Sequence, residues 1–448
     1  MIVNASIDTI GNIRKSDTRS LTMQSIRRAI YTRVLVLLAI TTYLVYSLFA
    51  FDVVKTIQRA NIERFALLSL DSFFYKVQID RRLRVDDIMV SIEGDRNQAW
   101  PLDNLPYWIE FSNGVVRADL GAGYWASIAD DKLTFYSPET GIIEAQVTED
   151  GVKTTIAPGL DLPAWVSISE LRFEARPTFD RRVMINRGRL EIQRYFFGWE
   201  NFLFGFHSPL NGLTARELIS FVVLEDRVQS HSNFKYVVTE FLDNPRWQHR
   251  RVLVAIYETF LMAFLGTVVA VLLAAASAFL AAANFSPSRS TRFVVRRIFD
   301  FVRSVDSLIW SLIFIRAFGL GPLTGAFAIA ITMFGELGKL FSEALEDLDR
   351  KQIEGVMSTG ASRLQVYRYG VLPQILPIII SQSLYYFEVN VRSATIIGAL
   401  GAGGIGLVLV QYMQTTRNWE NVIWIIILII LLVVLIDSIS SRLRRRFM

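Results

Sequence analysis

Residues 342–377 read SEALEDLDRKQIEGVMSTGASRLQVYRYGVLPQILP. The stretch opens helical and acidic, then breaks at Gly360 before a second helical segment. Glycine at a helix end takes the left-handed backbone that terminates the helix. Pro373 and Pro377 stop or kink the chain after it, because proline lacks the N–H a helix interior needs. Apolar runs lie on both sides, at 323–341 and 375–400. Each approaches the roughly 20 residues that cross a bilayer core. The reading is therefore a compact helix–glycine–helix knob between two membrane spans.

Working outward, further apolar runs occur at 34–51, 252–283, 298–318 and 422–439, which makes about six spans. The run at 298–318 is the least clean, interrupted by Asp300, Arg303, Asp306 and Arg316. The chain of 448 residues is 52% hydrophobic and 20% charged, too apolar for a soluble protein of this size. It has no cysteine, hence no disulfide and no thiolate chemistry. His207, His231 and His249 give no metal-ligand spacing. The run at 34–51 follows a leader with Arg14, Lys15, Arg19, Arg27, Arg28 and Arg33. It is longer than a signal-peptide core, and no small-residue cleavage pattern follows, so an uncleaved span is expected.

Charge then sets an orientation. Basic clusters precede the first span, lie between the second and third (Arg289, Arg292, Arg296, Arg297), and follow the sixth (Arg442, Arg444, Arg445, Arg446). With six spans all three fall on one side, which the positive-inside rule makes cytoplasmic. The expected organisation is a cytoplasmic segment at 1–33, a first span at 34–51 and an extracytoplasmic domain at 52–249. A membrane domain at 250–441, with its cytoplasmic loop at 342–376, and a basic tail at 442–448 follow. The termini are cytoplasmic on this reading.

No run inside 52–249 is long and apolar enough to span. DIMVSIEG, YWIEFSNGVVRADLG, KLTFYS and GIIEAQVTEDGVKTTIAPG alternate or are β-branched, and predict a β-rich core near 77–193. Asn113-Gly114 and Asp150-Gly151 mark hairpins. A helix is expected over 53–75, an aromatic turn at ENFLFGFHSPLNG, and helical spacing in ARELISFVVLEDRVQ. Asp86, Asp87, Asp130 and Asp131 are sequence neighbours, which point to opposite faces of a strand, so solvated loops are expected for them. The domain either docks a soluble partner or stabilises the complex, and it carries no catalytic constellation.

The 342–377 segment resembles the coupling loop of bacterial importer permeases: E-A-A, three residues, G, nine residues, I, one residue, L-P. Glu354, Gly360, Leu372 and Pro373 stand at matching positions, followed or preceded by Gly355, Ala361 and the rest of the knob. Gly355 and Val356 replace the two alanines, and Gly370 stands where isoleucine is usual. RYGVLPQILP, YFEVNVRSATIIGALGAGGIG, ETFLMAFLGT, SLIFIRAFGLGP and GELGKLFSEALEDLD are similar to phosphonate-importer permeases. The resemblance runs from about Tyr257 to the C-terminus and does not cover the external block.

The resemblance implies an all-α polytopic membrane domain of the type I ABC importer permease fold, with a large β-rich insertion. It implies an inner-membrane permease, not an enzyme, that moves phosphonate or a related phosphorus oxyanion. The expected partners are an ABC ATPase dimer, an extracytoplasmic substrate-binding protein, a second permease copy and the lipid bilayer, with no nucleic acid. ATP and Mg belong to the partner ATPase, and no cofactor belongs to this chain, which has no G-x-x-x-x-G-K-[ST]. Within the fifth span, Glu388, Asn390 and Arg392 are candidates for the translocation path, since charge at membrane depth is costly and faces a bundle interior or water. The competing reading is a structural ion pair, because Glu388 and Arg392 are four apart. Gly398, Gly401, Gly403, Gly404 and Gly406 suggest a tight turn or helix break, with an anion cradle of backbone N–H groups as the alternative. Glu336, Lys339, Arg303 and Asp306 are weaker candidates for pairing or snorkelling. Alternative functions are a permease for phosphate, phosphite or another small solute, or a membrane-anchored sensor.

Overall fold

The computed structural model describes residues 28–447, apart from 29, 54, 56, 58–65, 67–68, 84–86, 94–98, 149–150, 157–161, 164, 225, 229–231 and 416–418. Arg14, Lys15, Arg19, Arg27, Asp86, Asp150, His231 and most of the helix expected at 53–75 lie outside the described residues. The chain divides into two compact units, 1–67 and 68–448. In the first, α1 (Ile30–Ala50) is long and apolar enough to cross a membrane. Its apolar side chains are exposed, Leu35 at 69% and Phe49 at 79%. Hydrocarbon is the solvent that satisfies such a helix on every side.

The second unit begins with a β domain. Its strands are β1 (Phe74–Arg82), β2 (Asp87–Ile92), β3 (Ala99–Trp100), β4 (Ile109–Ser112), β5 (Val115–Gly121), β6 (Tyr124–Ala129) and β7 (Lys132–Ser137). They continue with β8 (Gly141–Thr148), β9 (Gly151–Thr155), β10 (Val166–Ser169), β11 (Arg172–Thr178), β12 (Arg181–Asn186) and β13 (Arg189–Phe197). One sheet has the order β10-β11-β12-β13-β1-β2-β3, and the other is the meander β4 to β9. Their inner faces share one apolar core, with Ile79, Val90, Phe173, Ile185 and Ile192 from the first and Ile128, Leu133, Phe135 and Ile143 from the second. Burying each such side chain contributes about 1.5–3 kcal/mol. Asn113 and Gly114 turn β4 into β5 with φ of 53° and 76°, the hairpin the sequence predicts. Asp130 and Asp131 sit exposed in the β6–β7 turn, also as expected.

β1 pairs antiparallel with β13, and Phe74 lies opposite Phe197. Directly opposed residues are about 5 Å apart. The domain therefore enters and leaves at one point, which lets a loop hold a whole domain without separating its own ends. A connecting segment follows, with α2 (Ala215–Val223) and α3 (Asn233–Leu242). Thr214 and Glu217 cap α2 reciprocally. α3 was not evident in the sequence.

The helical part comprises α4 (His249–Ala281), α5 (Arg289–Ser304), α6 (Ser307–Phe318), α7 (Pro322–Glu346), α8 (Arg350–Ser358) and α9 (Arg363–Val366). A π-helical turn (Tyr367–Val371) leads into α10 (Leu372–Ile397), and a second one (Gly398–Ala402) leads out of it. α11 (Gly404–Thr415) and α12 (Trp419–Phe447) complete the chain. α4 lies closely on α7 because its contact stripe is small: Ala263, Gly266, Ala270, Ala274 and Ala278 are buried. A Cβ on Gly266 would stand 2.8 Å from Ile329, so only glycine permits that approach.

Among the described residues five helical runs can cross a membrane: Ile30–Ala50, His249–Ala281, Pro322–Glu346, Arg363–Ala402 and Trp419–Arg446. The expected third span at 298–318 is not one helix. Val305 is extended, and Asp306 accepts the Leu308 N–H at 2.8 Å and caps a new helix. The charged residues that interrupt the run thus end α5 and start α6, and both pieces pack on α7. Two further boundaries differ from the sequence reading. Arg442, Arg444, Arg445 and Arg446 form the last turns of α12 rather than a separate tail. The short apolar α11 follows the glycine turn, where only a turn was expected.

Candidate functional site: the helical knob and the charged faces of the bundle

The knob is built as its sequence dictates. Asp349 caps α8 by accepting the Lys351 N–H at 3.0 Å. The helix ends at Gly360, whose φ is 79°. Ser362 and Gln365 then cap α9 reciprocally. Gln374 staples the ends of the knob together: its Oε1 accepts the Asp349 N–H at 3.1 Å, and its Nε2 donates to the Gly370 carbonyl at 2.6 Å. Glu354, Gly355, Gly360, Leu372 and Pro373 are exposed and Ala361 is half-buried. The surface is also apolar: Met357 is 58% exposed, Leu364 78% and Tyr369 61%.

The two departures from the family pattern meet in space. A Cβ on Gly370 would lie 3.5 Å from the Ile353 Cα and 3.7 Å from Val356 Cγ2. Val356 is thus larger than the usual alanine beside a position that is smaller than the usual isoleucine. The two departures therefore lie at one contact.

The intramembrane candidates separate. Asn390 is buried and donates to Thr267 Oγ1 at 2.8 Å, joining α10 to α4. Glu388 lies 3.4 Å from Arg392 and 3.9 Å from Arg444, joining α10 to α12. Arg392 keeps a side chain 60% exposed. Elsewhere Asp300, Arg303, Glu336, Lys339 and Tyr386 line a cavity of about 570 Å³ among α5, α7 and α10. Its ion pairs are long, 3.5 Å for Arg303–Asp300 and 4.0 Å for Lys339–Asp300. Asp306 is spent on its helix cap.

The glycine turn carries a carboxylate from its own chain. The Gly404 N–H donates to Glu258 Oε2 and the Ile405 N–H to Thr259 Oγ1, both at 2.9 Å. Gly401 (φ 117°), Gly403 (φ 90°) and Gly404 (φ 70°) provide the reversal. The sequence found the turn but not its partners on α4.

A second feature escaped the sequence. Arg246 and Glu420 form an ion pair with side chains only 4% and 6% exposed. Asn421 donates to the Arg246 carbonyl at 3.1 Å. Trp199, Phe202, Trp247, His249 and Trp424 pack around the pair's neighbourhood, with Trp199 and Trp247 centroids 5.3 Å apart. Trp199 also donates to the Ser72 carbonyl at 3.1 Å. The cluster thus ties both ends of the β domain to the starts of α4 and α12. Among the described residues no group of three or more His, Cys, Asp or Glu is arranged to hold a metal.

Residues 266–448 match the family of binding-protein-dependent transport system inner membrane components. The chain is 37% identical over 187 residues to a putative phosphite transport system permease protein of Stutzerimonas stutzeri, covering 42% of this chain and 66% of that one. It is 38% identical over 168 residues to a phosphate-import permease protein of Mycolicibacterium smegmatis, covering 38% and 31%. It is 46% identical over 121 residues to a putative cryptic phosphonate transport system permease protein of Escherichia coli, covering 27% and 98%. The family match falls on the helical part and leaves the β domain outside it, and the chain spans only part of the first two relatives. These relatives are transport permeases rather than enzymes. The chain belongs to the binding-protein-dependent transport system inner membrane component family, a class of multi-pass inner-membrane permeases.

Proposed function

We propose that this chain is the membrane subunit of an ATP-driven importer of phosphonate or a closely related phosphorus oxyanion, coupled to a separate ATPase through the α8–α9 knob. The observation that carries the reading is that knob. Two short capped helices are set at a fixed angle by Gly360, stapled by Gln374, and present Met357, Leu364 and Tyr369 outward. A rigid apolar projection of this kind can seat in a groove of an ATPase and pass on a rigid-body displacement. Two permease copies would enclose the path, and a soluble binding protein would deliver the ligand from outside. The basic residues before α1, on α5 and at the end of α12 support a cytoplasmic knob with the β domain outside. α5 and α6 together then serve as one broken crossing.

Arg392 would face the water-filled path. An exposed guanidinium at membrane depth is costly against lipid and favourable in an aqueous channel, where it attracts anions. Glu388 and Asn390 hold its helix in place. Phosphate is the second ligand reading, favoured by the likeness to a phosphate-import permease.

The test is ATPase activity of the purified complex, permease plus ATPase plus binding protein, with methylphosphonate and with phosphate. Stimulation by methylphosphonate that Gly360→Val abolishes, with the complex still assembled at reduced affinity, supports the proposal. A permease that retains no ATPase under any mild extraction refutes the coupling reading, and stimulation by phosphate alone reassigns the ligand.

A further inference from the structure

The segment between the β domain and α4 exposes far more apolar surface than a water-facing connection should. On α2, Ile219 is 65% and Val223 71% exposed, followed by Leu224 at 79%. On α3, Phe234 is 64% and Val238 37% exposed. Both pairs are spaced i, i+4, so each helix carries a second apolar strip. The first strips are already used: Phe221, Leu218, Val222, Tyr236, Val237 and Phe241 pack with Phe204 and Leu210 in a small core. Soluble surfaces rarely leave such strips open.

Their place in the fold names the occupant. Phe241, in the last turn of α3, stacks on His249 with ring centroids 4.0 Å apart. His249 is the first residue of the 33-residue membrane helix α4. α3 therefore lies within one ring contact of the point where the chain enters the bilayer. Trp199, Phe202, Trp247 and Trp424 pack beside it and fix α3 against the start of that helix. The segment's charges are mixed, Arg216, Arg227 and Lys235 beside Glu217, Asp226, Glu240 and Asp243, so its attraction to a membrane rests on the apolar strips.

We propose that the α2–α3 hairpin is a membrane-interface anchor, lying on the leaflet at which α4 begins, with Ile219, Val223, Leu224 and Phe234 inserted among the lipid chains. An amphipathic helix in this position buries its apolar face about 5–10 Å into the boundary between headgroups and chains. The anchor fixes the height of the β domain above the membrane without adding a crossing. It explains why a connecting segment devotes two helices to so small a core.

The chain's lack of cysteine makes the test direct. Val223→Cys and Phe234→Cys are each labelled with an environment-sensitive fluorophore in the full-length protein. The protein is placed in nanodiscs of phosphatidylethanolamine and phosphatidylglycerol carrying nitroxide lipids. Quenching by shallow nitroxides, at a depth of about 5–10 Å, with protection from an aqueous quencher, is the expected result. Free access of the aqueous quencher at both sites overturns the proposal. So does protection from both quenchers, whether constitutive or only after addition of the binding protein, because a protein and not lipid would then cover the strips. The outcome does not depend on ATPase coupling, so it stands or falls apart from the transport reading.

Discussion

The paired departures at Val356 and Gly370 can be tested as a pair. Gly370→Ile adds a branched side chain where even its Cβ would already touch Ile353 and Val356 at 3.5–3.7 Å. Overpacking of this kind costs about 1–3 kcal/mol. Val356→Ala removes two methyl groups from a half-buried site. At about 0.8 kcal/mol per buried CH₂ group, discounted for partial exposure, that costs about 1 kcal/mol. If the replacements offset one another, the double variant regains much of the loss, because alanine vacates the space isoleucine requires. The coupling should reach about 1–2 kcal/mol, within the range for residues in contact. The assay is thermal unfolding of the reconstituted complex, paired with ligand-stimulated ATPase activity, in a four-protein cycle of parent, two singles and double. Gly370→Ile alone should uncouple ATPase activity, and the double variant should restore it. Additive losses, agreeing within about 0.5 kcal/mol, would refute the idea that these two positions share one contact.

Three other expectations follow from single features. Gly355→Ala should stabilise the knob by about 0.5–1 kcal/mol, because Gly355 is helical with open space around it, whereas Gly360→Ala should destabilise it by about 1–2 kcal/mol through its left-handed backbone alone; opposite shifts in the unfolding midpoint check both. Arg246→Ala should cost about 3–5 kcal/mol by leaving Glu420 buried without its partner, while Arg246→Met with Glu420→Leu should recover most of that loss, as unfolding of the two variants would report. In the β domain, burial pushes the Glu191 carboxyl above its ordinary range, with the Arg189 guanidinium at 2.6 Å opposing and Asp80 across the strand pair adding to the rise. The folded state then binds more protons than the unfolded chain, so this residue's contribution falls as pH rises from about 4.3 through the raised folded value. The midpoint of Glu191→Gln relative to the parent should therefore increase across that window and level off above it, and a difference that does not vary with pH would contradict this.

What the sequence made legible was local. The knob could be read because a glycine and two prolines act on their own neighbours, within a few residues of chain. The Asn113-Gly114 hairpin and the alternation of the strands are legible for the same reason. The spans were legible by length and composition, except where Asp306 acts as a helix cap. A carboxylate in an apolar run lowers its hydropathy whether it interrupts a helix or starts one, and hydropathy cannot tell the two apart. The charged pair on α10 was correctly seen to share a face, but the arginine from α12 that shares Glu388 was out of reach. Asn390 shows the same limit, since its partner Thr267 is 123 positions away.

The Arg246–Glu420 pair sets that limit most clearly, with 174 positions between its members. Neither residue is distinguished by its surroundings: one lies in a polar segment and the other begins an apolar helix. Only closure of the bundle, with α4 and α12 starting side by side, removes both from water and makes them depend on one another. Phe202, which packs on Trp247 and Trp424, could be read only as part of an aromatic turn for the same reason. Their function is to pack two helix starts and both ends of an inserted domain against one another. Because β1 and β13 are neighbours, a single such cluster holds the whole domain. A domain with 13 strands among the described residues can therefore be carried on a permease whose helical core keeps its family's pattern. The insertion requires one packed seam at the starts of α4 and α12, and the knob, which precedes α10, lies outside that seam.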